Sequence, residues 1–179
     1  MNGIEAATLW ITVDEFYADP AYRHQYYLLD GEPIKDMENA HRLHEAIKMD
    51  LVEALVYWKA LLDPKLNVSI GSECPYQINA YTLMIPDVSI EIPRRKLSDT
   101  PTYPQGSPEV VIEILSPSNS HRELTGNARV YWAGGAQEVW ALDPKNRKFY
   151  SISRSGEWLE QERLVIRGVA VDFAWPKSE

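Results

Sequence analysis

The chain is short of cysteine, of uninterrupted apolar sequence and of positive charge, and each shortage excludes something. Cys74 is the single cysteine in 179 residues, so no intramolecular disulfide can form and no cysteine cluster is available for zinc. The longest apolar stretches are strand-sized and broken by Asp, Glu or Pro, far from the ~20 consecutive apolar residues of a membrane helix. No membrane span is expected. The start, MNGIEAATLW, lacks a basic stretch followed by an apolar run, which predicts a cytoplasmic rather than a secreted protein. There is no Walker loop, no Gly-x-Gly-x-x-Gly and no Gly-x-Ser-x-Gly elbow, so neither nucleotide-cofactor binding nor a serine nucleophile has support.

The charge balance is acidic, with 26 Asp and Glu against 18 Lys and Arg and a net charge of −8. That balance argues against a protein that coats nucleic acid by bulk electrostatics, because phosphate binding depends on Lys and Arg near the backbone. The excess is uneven: residues 1–120 hold 18 acids and 9 bases, and residues 121–179 hold 8 and 9. Most of that acid reads as a solubilising surface.

What is present is enough for one domain with a sizeable core, since a chain of this length buries on the order of 70% of its unfolded surface. Thr12-Val-Asp-Glu15 is a capping-box pattern that predicts a short helix. Asp30-Gly31 between apolar runs predicts a hairpin across residues 26–34. Leu43, Ile47, Leu51, Leu55, Trp58 and Leu62 recur at helical spacing, which predicts a long core helix over 41–62 ended by Pro64, with a strand over 66–70. Short strands are expected between 74 and 92, a Pro-rich loop over 93–108, and a central strand buried on both faces over Glu109–Leu115. A second capping box at Ser120–Glu123 opens a helix that runs to Gly134-Gly135. Strands are then expected over 138–142, 148–153 and 169–173. The order of elements predicts a single α/β domain over 1–179 with a mixed sheet.

Glu113 carries the most chemical information. It alternates with Ile112 and Ile114, so it shares a sheet face with Val111 and Leu115, and an unpaired carboxylate buried there costs several kcal/mol. Either a bound cation or a salt bridge to Arg122 or Arg129 must compensate it. Asp87 shares a face with Ser89 and Glu91 in the neighbouring β-run, and two carboxylates on adjacent strands can converge on a hard cation such as Mg2+ or Mn2+. Glu32 follows the Asp-Gly turn. His44 borders the apolar stripe of the long helix, and Asn127 lies on the inner face of the second helix with Leu124, Ala128 and Tyr131. His41 and His44 share a helix face, but the His-Glu-x-x-His pattern of zinc enzymes is absent. Arg94-Arg95-Lys96 forms a local basic run that could meet phosphate or simply be solvated.

Tyr27-Leu-Leu-Asp-Gly-Glu32, His44 heading the long helix, Pro86-Asp87, Val110-Val-Ile-Glu-Ile-Leu-Ser-Pro-Ser118, Tyr131, Gly135, Glu138-Val-Trp140 and Asp143-Pro144 together resemble the Uma2 family. That family consists of restriction-endonuclease-like proteins within the PD-(D/E)xK nuclease superfamily, and the likeness runs from about residue 10 to residue 155. It implies a restriction-endonuclease-like mixed central sheet flanked by helices, and a Mg2+ or Mn2+ ion held by Asp87, Glu113 and the backbone carbonyl of Ile114. It further implies hydrolysis of DNA phosphodiester bonds, assistance from Glu32 and His44, and a homodimer. The superfamily lysine two residues after the glutamate is Leu115 here, and the family's alternative lysine on the following helix aligns with Asn127, which can orient water but supplies no positive charge. Arg122, Arg129 and Lys96 are the candidates to replace that charge. A relative that keeps the fold as a binding or assembly module without turnover is the alternative implied by Asn127.

Overall fold

The computed structural model describes residues 10–22, 26–35, 42–96, 103–116 and 121–176. Helix α1 (Val13–Ala18) starts where the capping box places it: the Thr12 hydroxyl accepts from the Glu15 amide, and the Glu15 carboxylate accepts from the Thr12 amide. Strands β1 (Tyr26–Leu29) and β2 (Glu32–Lys35) form the Asp-Gly hairpin, with Asp30 at φ 47° and Gly31 at φ 81°. Both turn residues thus adopt the left-handed conformation that a tight two-residue turn requires.

Helix α2 (Arg42–Ala60) buries Ile47, Leu51, Leu55 and Trp58, as the four-residue spacing predicts. Leu43 departs from the expected stripe and is 55% exposed, while His41 lies outside the described residues. Pro64 opens a 3-10 turn through Leu66, and Asn67 takes φ 51°. The extended chain expected from residue 66 is broken there, so β3 begins only at Ser69 and runs to Ser72. Strands β4 (Tyr76–Asn79), β5 (Thr82–Met84) and β6 (Val88–Glu91) fill the expected short β pieces.

Strand β7 (Val110–Ile114) is buried at every position, and α3 (His121–Ala133) follows it; Ser120, the expected cap, lies outside the described residues. Gly135 ends α3 at φ 103°, the left-handed conformation that suits glycine after a helix. Strands β8 (Glu138–Asp143) and β9 (Lys148–Ile152) come next. The C-terminal region differs from expectation. Strand β10 (Trp158–Gln161) pairs with β9, and a two-residue ladder joins β11 (Val165–Ile166) to β12 (Val169–Ala170) in place of one longer strand.

The main sheet is ordered β10-β9-β8-β7-β6-β3, with β7 and β8 parallel and the other neighbours antiparallel. It is the mixed sheet expected, and α3 is the crossover between its parallel strands. A smaller sheet, β2-β1-β5-β4, packs its Leu28 and Leu83 with Val13 and Phe16 of α1. The period of two in β7 divides the core. Ile112 and Ile114 join Ile47, Leu51, Leu55 and Trp58 of α2, whereas Val111 joins Ala128 and Tyr131 of α3. Each large aliphatic side chain sealed this way contributes about 1.5–3 kcal/mol. Glu113 continues the α3 side of β7, the side on which a polar group must find partners.

Candidate active site

The β6–β7 register pairs Val88 with Ile112, Ser89 with Val111 and Ile90 with Val110. Asp87, in the bend just before β6, lies one step beyond that register, which brings its carboxylate beside that of Glu113 near the end of β7. Like charges in that position repel, and both are almost buried, each 8% exposed. The fold surrounds them with donors. The Ile114 amide donates to Asp87 Oδ2 at 2.7 Å, the Tyr131 hydroxyl donates to Glu113 Oε1 at 2.7 Å, and the Asp87 amide lies 3.4 Å from Glu113 Oε2. His44, 5% exposed, brings Nε2 to 3.3 Å from Asp87 Oδ2, a close approach without hydrogen-bond geometry. Burial and the adjoining Glu113 charge raise the Tyr131 phenol far above its usual range, so it stays protonated and able to donate.

The salt-bridge alternative for Glu113 is not what forms. Arg122 and Arg129 are exposed on α3, and neither pairs with a carboxylate among the described residues. Nor is the Arg94-Arg95-Lys96 run a uniform patch. Arg95 is half-buried, donates to the carbonyls of Gln105 and Ser107, approaches Glu91 and Glu109, and lies over the Tyr76 ring. It is a clamp on the Pro-rich loop, which leaves Arg94 and Lys96 as the exposed members.

Of the residues singled out in the sequence, His44, Asp87, Glu113 and the Ile114 backbone come together. Glu32 is exposed on β2, and no hydrogen bond or ion pair joins it to either carboxylate among the described residues. Asn127 is half-buried on α3, one turn before Tyr131, and Leu115 packs into the α3 side of the core. Two contributors escaped the sequence reading. Tyr131 was legible as a core residue of α3, but its hydroxyl partner was not. Lys48, one turn after His44, is buried and held by Glu45 Oε1 at 2.7 Å and by Glu73. Burial opposes its charge, but hydrogen bonds from Lys48 to the two glutamates outweigh it and raise its pKa. Glu73 in turn donates its amide to the Asp87 carbonyl at 3.1 Å, so Lys48 braces the backbone that carries Asp87.

Could these residues hold a divalent ion? Among the described residues no group of three or more His, Cys, Asp or Glu assembles for a metal. Magnesium does not require one, because it keeps several waters and takes one or two carboxylates. Two neighbouring carboxylates in a donor-lined end of the sheet form an oxygen donor set suited to that ion. The Ile114 amide points toward Asp87, and in a regular strand the carbonyl of the same residue faces the same neighbour. The donor set fits.

A mixed sheet held between two helices, with paired carboxylates at the ends of adjacent strands, is the arrangement of a restriction-endonuclease-like protein. The same fold occurs in the crystal structure of a "putative nuclease belonging to DUF820" from Anabaena variabilis ATCC 29413, with a TM-score of 0.69 and 22% identity over 87% of this chain and 88% of that one. The profile of the Uma2 family, described as "Putative restriction endonuclease", matches residues 13–167. The chain belongs to the Uma2 family. No curated protein matches it. No helix among the described residues is long and apolar enough to cross a membrane.

Proposed function

We propose that the protein, one domain over its 179 residues, is a Mg2+- or Mn2+-dependent endonuclease that hydrolyses phosphodiester bonds in DNA. The observation that supports this reading best is the placement of Asp87 beside Glu113, two buried carboxylates whose repulsion a cation would relieve. A divalent ion bound there would polarise the phosphate and lower the pKa of the attacking water. The protein's own part is positioning. Asp87, Glu113 and the Ile114 carbonyl would supply oxygen ligands, the Ile114 amide holds Asp87 with His44 Nε2 close beside it, and Tyr131 holds Glu113. Asn127, half-buried on α3 one turn before Tyr131, would orient water, and Lys48 holds the Glu73 turn behind Asp87. Glu32 is left outside this set.

The activity belongs in the cytoplasm, where Cys74 remains a thiol. We also propose a homodimer, by analogy with the family; the large apolar side chains exposed on α2, Leu43, Met49, Val56 and Tyr57, are the surface that would serve it. The test of the main reading is cleavage of plasmid and linear DNA with magnesium or manganese, by the wild type and by Glu113→Ala. Metal-dependent cleavage lost in the variant supports it. Wild-type protein that cuts neither DNA with either metal contradicts it. Leu115 and Asn127, which stand where lysines are expected, favour a second reading, a nuclease fold kept as a binding module. That reading requires DNA binding without turnover.

A further inference from the structure

On the opposite flank of α3 from Tyr131, the residues His121, Arg122, Thr125, Gly126, Arg129 and Trp158 enclose an open groove of about 400 Å³. That is within the range of a pocket for a small ligand. Its wall is built rather than incidental. The Trp158 indole donates to Thr125 Oγ1 at 2.9 Å, and that hydroxyl donates to the His121 carbonyl at 2.6 Å. The His121 ring stacks on Trp158, with centroids 4.3 Å apart and planes 12° apart, and Tyr150 meets both rings edge-on. Gly156, at φ 86°, brings the β9–β10 turn so close that an added Cβ would lie 2.8 Å from Thr125 and 3.3 Å from the Arg129 guanidinium. The turn thereby packs against Arg129. The floor is Gly126, where an added Cβ would meet nothing within 4 Å.

The charge of this groove is unusual for so acidic a chain. Lys48, Arg95 and Lys148 are each matched to carboxylates, whereas Arg122 and Arg129 face none among the described residues. Two uncompensated guanidinium groups beside a flat aromatic wall suit a ligand that carries both phosphates and planar rings. Arginine binds phosphate in a fixed fork geometry, and aromatic side chains accept any base on their π-faces. A helix with its side chains is about 10 Å across, so a strand in this groove can reach the carboxylate flank of α3 within a few nucleotides.

We infer that this groove holds a single DNA strand beside the bond to be cut, with Arg122 and Arg129 on its phosphates and a base stacked against the His121–Trp158 wall. The inference rests on the nuclease reading for its substrate. It is tested by the affinity of a short fluorescein-labelled single-stranded DNA in EDTA, titrated at several salt concentrations, alongside metal-dependent cleavage of the same strand. Three proteins suffice: wild type, Arg122→Ala/Arg129→Ala, and Gly126→Glu. The last places a carboxylate on the groove floor without a clash and with a better helix former than glycine, and circular dichroism confirms that each variant is folded. The expected result is about a tenfold or greater loss of affinity in both variants. The salt slope should fall by about 1.4 in the double variant, given about 0.7 per phosphate on single strands. Variants that bind and cut as the wild type does overturn the groove while leaving the nuclease reading intact. Wild type that binds the strand but leaves strand, plasmid and linear DNA all uncut, with binding lost in both variants, keeps the groove and overturns turnover. Wild type that does not bind the strand overturns the groove, and the nuclease reading falls with it only where plasmid and linear DNA are also left uncut.

Discussion

At the ends of β6 and β7 two carboxylates are almost sealed from solvent and accept from the Ile114 amide and the Tyr131 hydroxyl; across α3 two guanidinium groups stand open with no carboxylate opposite among the described residues. The acidic end uses the interior of the fold to hold charges that repel one another. The basic flank uses exposure, where a charged ligand can arrive at little desolvation cost. One helix serves both, because α3 turns Tyr131 toward Glu113 and turns Arg122 and Arg129 away from it. A protein with a net charge of −8 can thus present a local positive surface on the far side of the helix that covers its buried carboxylates.

The largest effect should come from separating function from stability at the acidic end. Glu113→Gln keeps an oxygen for the Tyr131 hydroxyl but removes one of two repelling charges. Metal-dependent cleavage should fall by roughly a thousandfold, the worth of several kcal/mol of transition-state stabilisation. Without metal the melting temperature should stay the same or rise. A sharp drop in metal-free stability would mean that Glu113 is a structural ion-pair partner, and the contrast between the two regions would disappear.

Tyr131→Phe should cost about 1–3 kcal/mol in urea unfolding, because a buried carboxylate oxygen loses its donor. Unchanged stability would mean that water already serves Glu113. Lys48→Met should cost about 1 kcal/mol or less, since Glu45 and Glu73 are 43% and 61% exposed and rehydrate readily. Its pH dependence has a definite sign. The hydrogen bond from Lys48 first, opposed by partial burial, lowers the Glu45 pKa below its usual 4.5. The stabilisation is present above that value and is lost as pH falls through the lower folded pKa, so wild type and variant should converge in acid. A difference that widens in acid would contradict the pairing. The smallest effect lies in the groove, where Gly126→Ala should raise stability by up to about 1 kcal/mol in thermal unfolding. A loss instead would mean that its floor is filled.

The two regions were unequally legible in the sequence. Glu113 announces itself because a strand has a period of two, and a carboxylate at a core position of Val110–Ile114 breaks an apolar run. Asp87 gains meaning from the same period on the neighbouring strand. Their register, their hydrogen bonds and the brace from Lys48 depend on which strands pair and how α2 lies on the sheet, and no local pattern encodes that. The groove was less legible still. Arg122 and Arg129 were visible as charges, but the wall that makes them a site depends on Trp158, carried by a strand that the sequence pattern did not reveal. The C-terminal strands are short, and β10 has no buried residue, so neither length nor alternation marked them. Glu32 illustrates the opposite limit: resemblance drew it toward the site, and the hairpin leaves it in solvent.

On the proposed reading, Asp87 and Glu113 lie side by side in order to hold a divalent ion. A crystal structure grown in manganese, with anomalous data collected at the manganese edge, tests it directly. One strong anomalous peak bonded to both carboxylates is expected, with the Ile114 carbonyl as a further ligand. Crystals saturated with manganese that show Asp87 and Glu113 bonded only to protein groups, or the peak elsewhere, would contradict it.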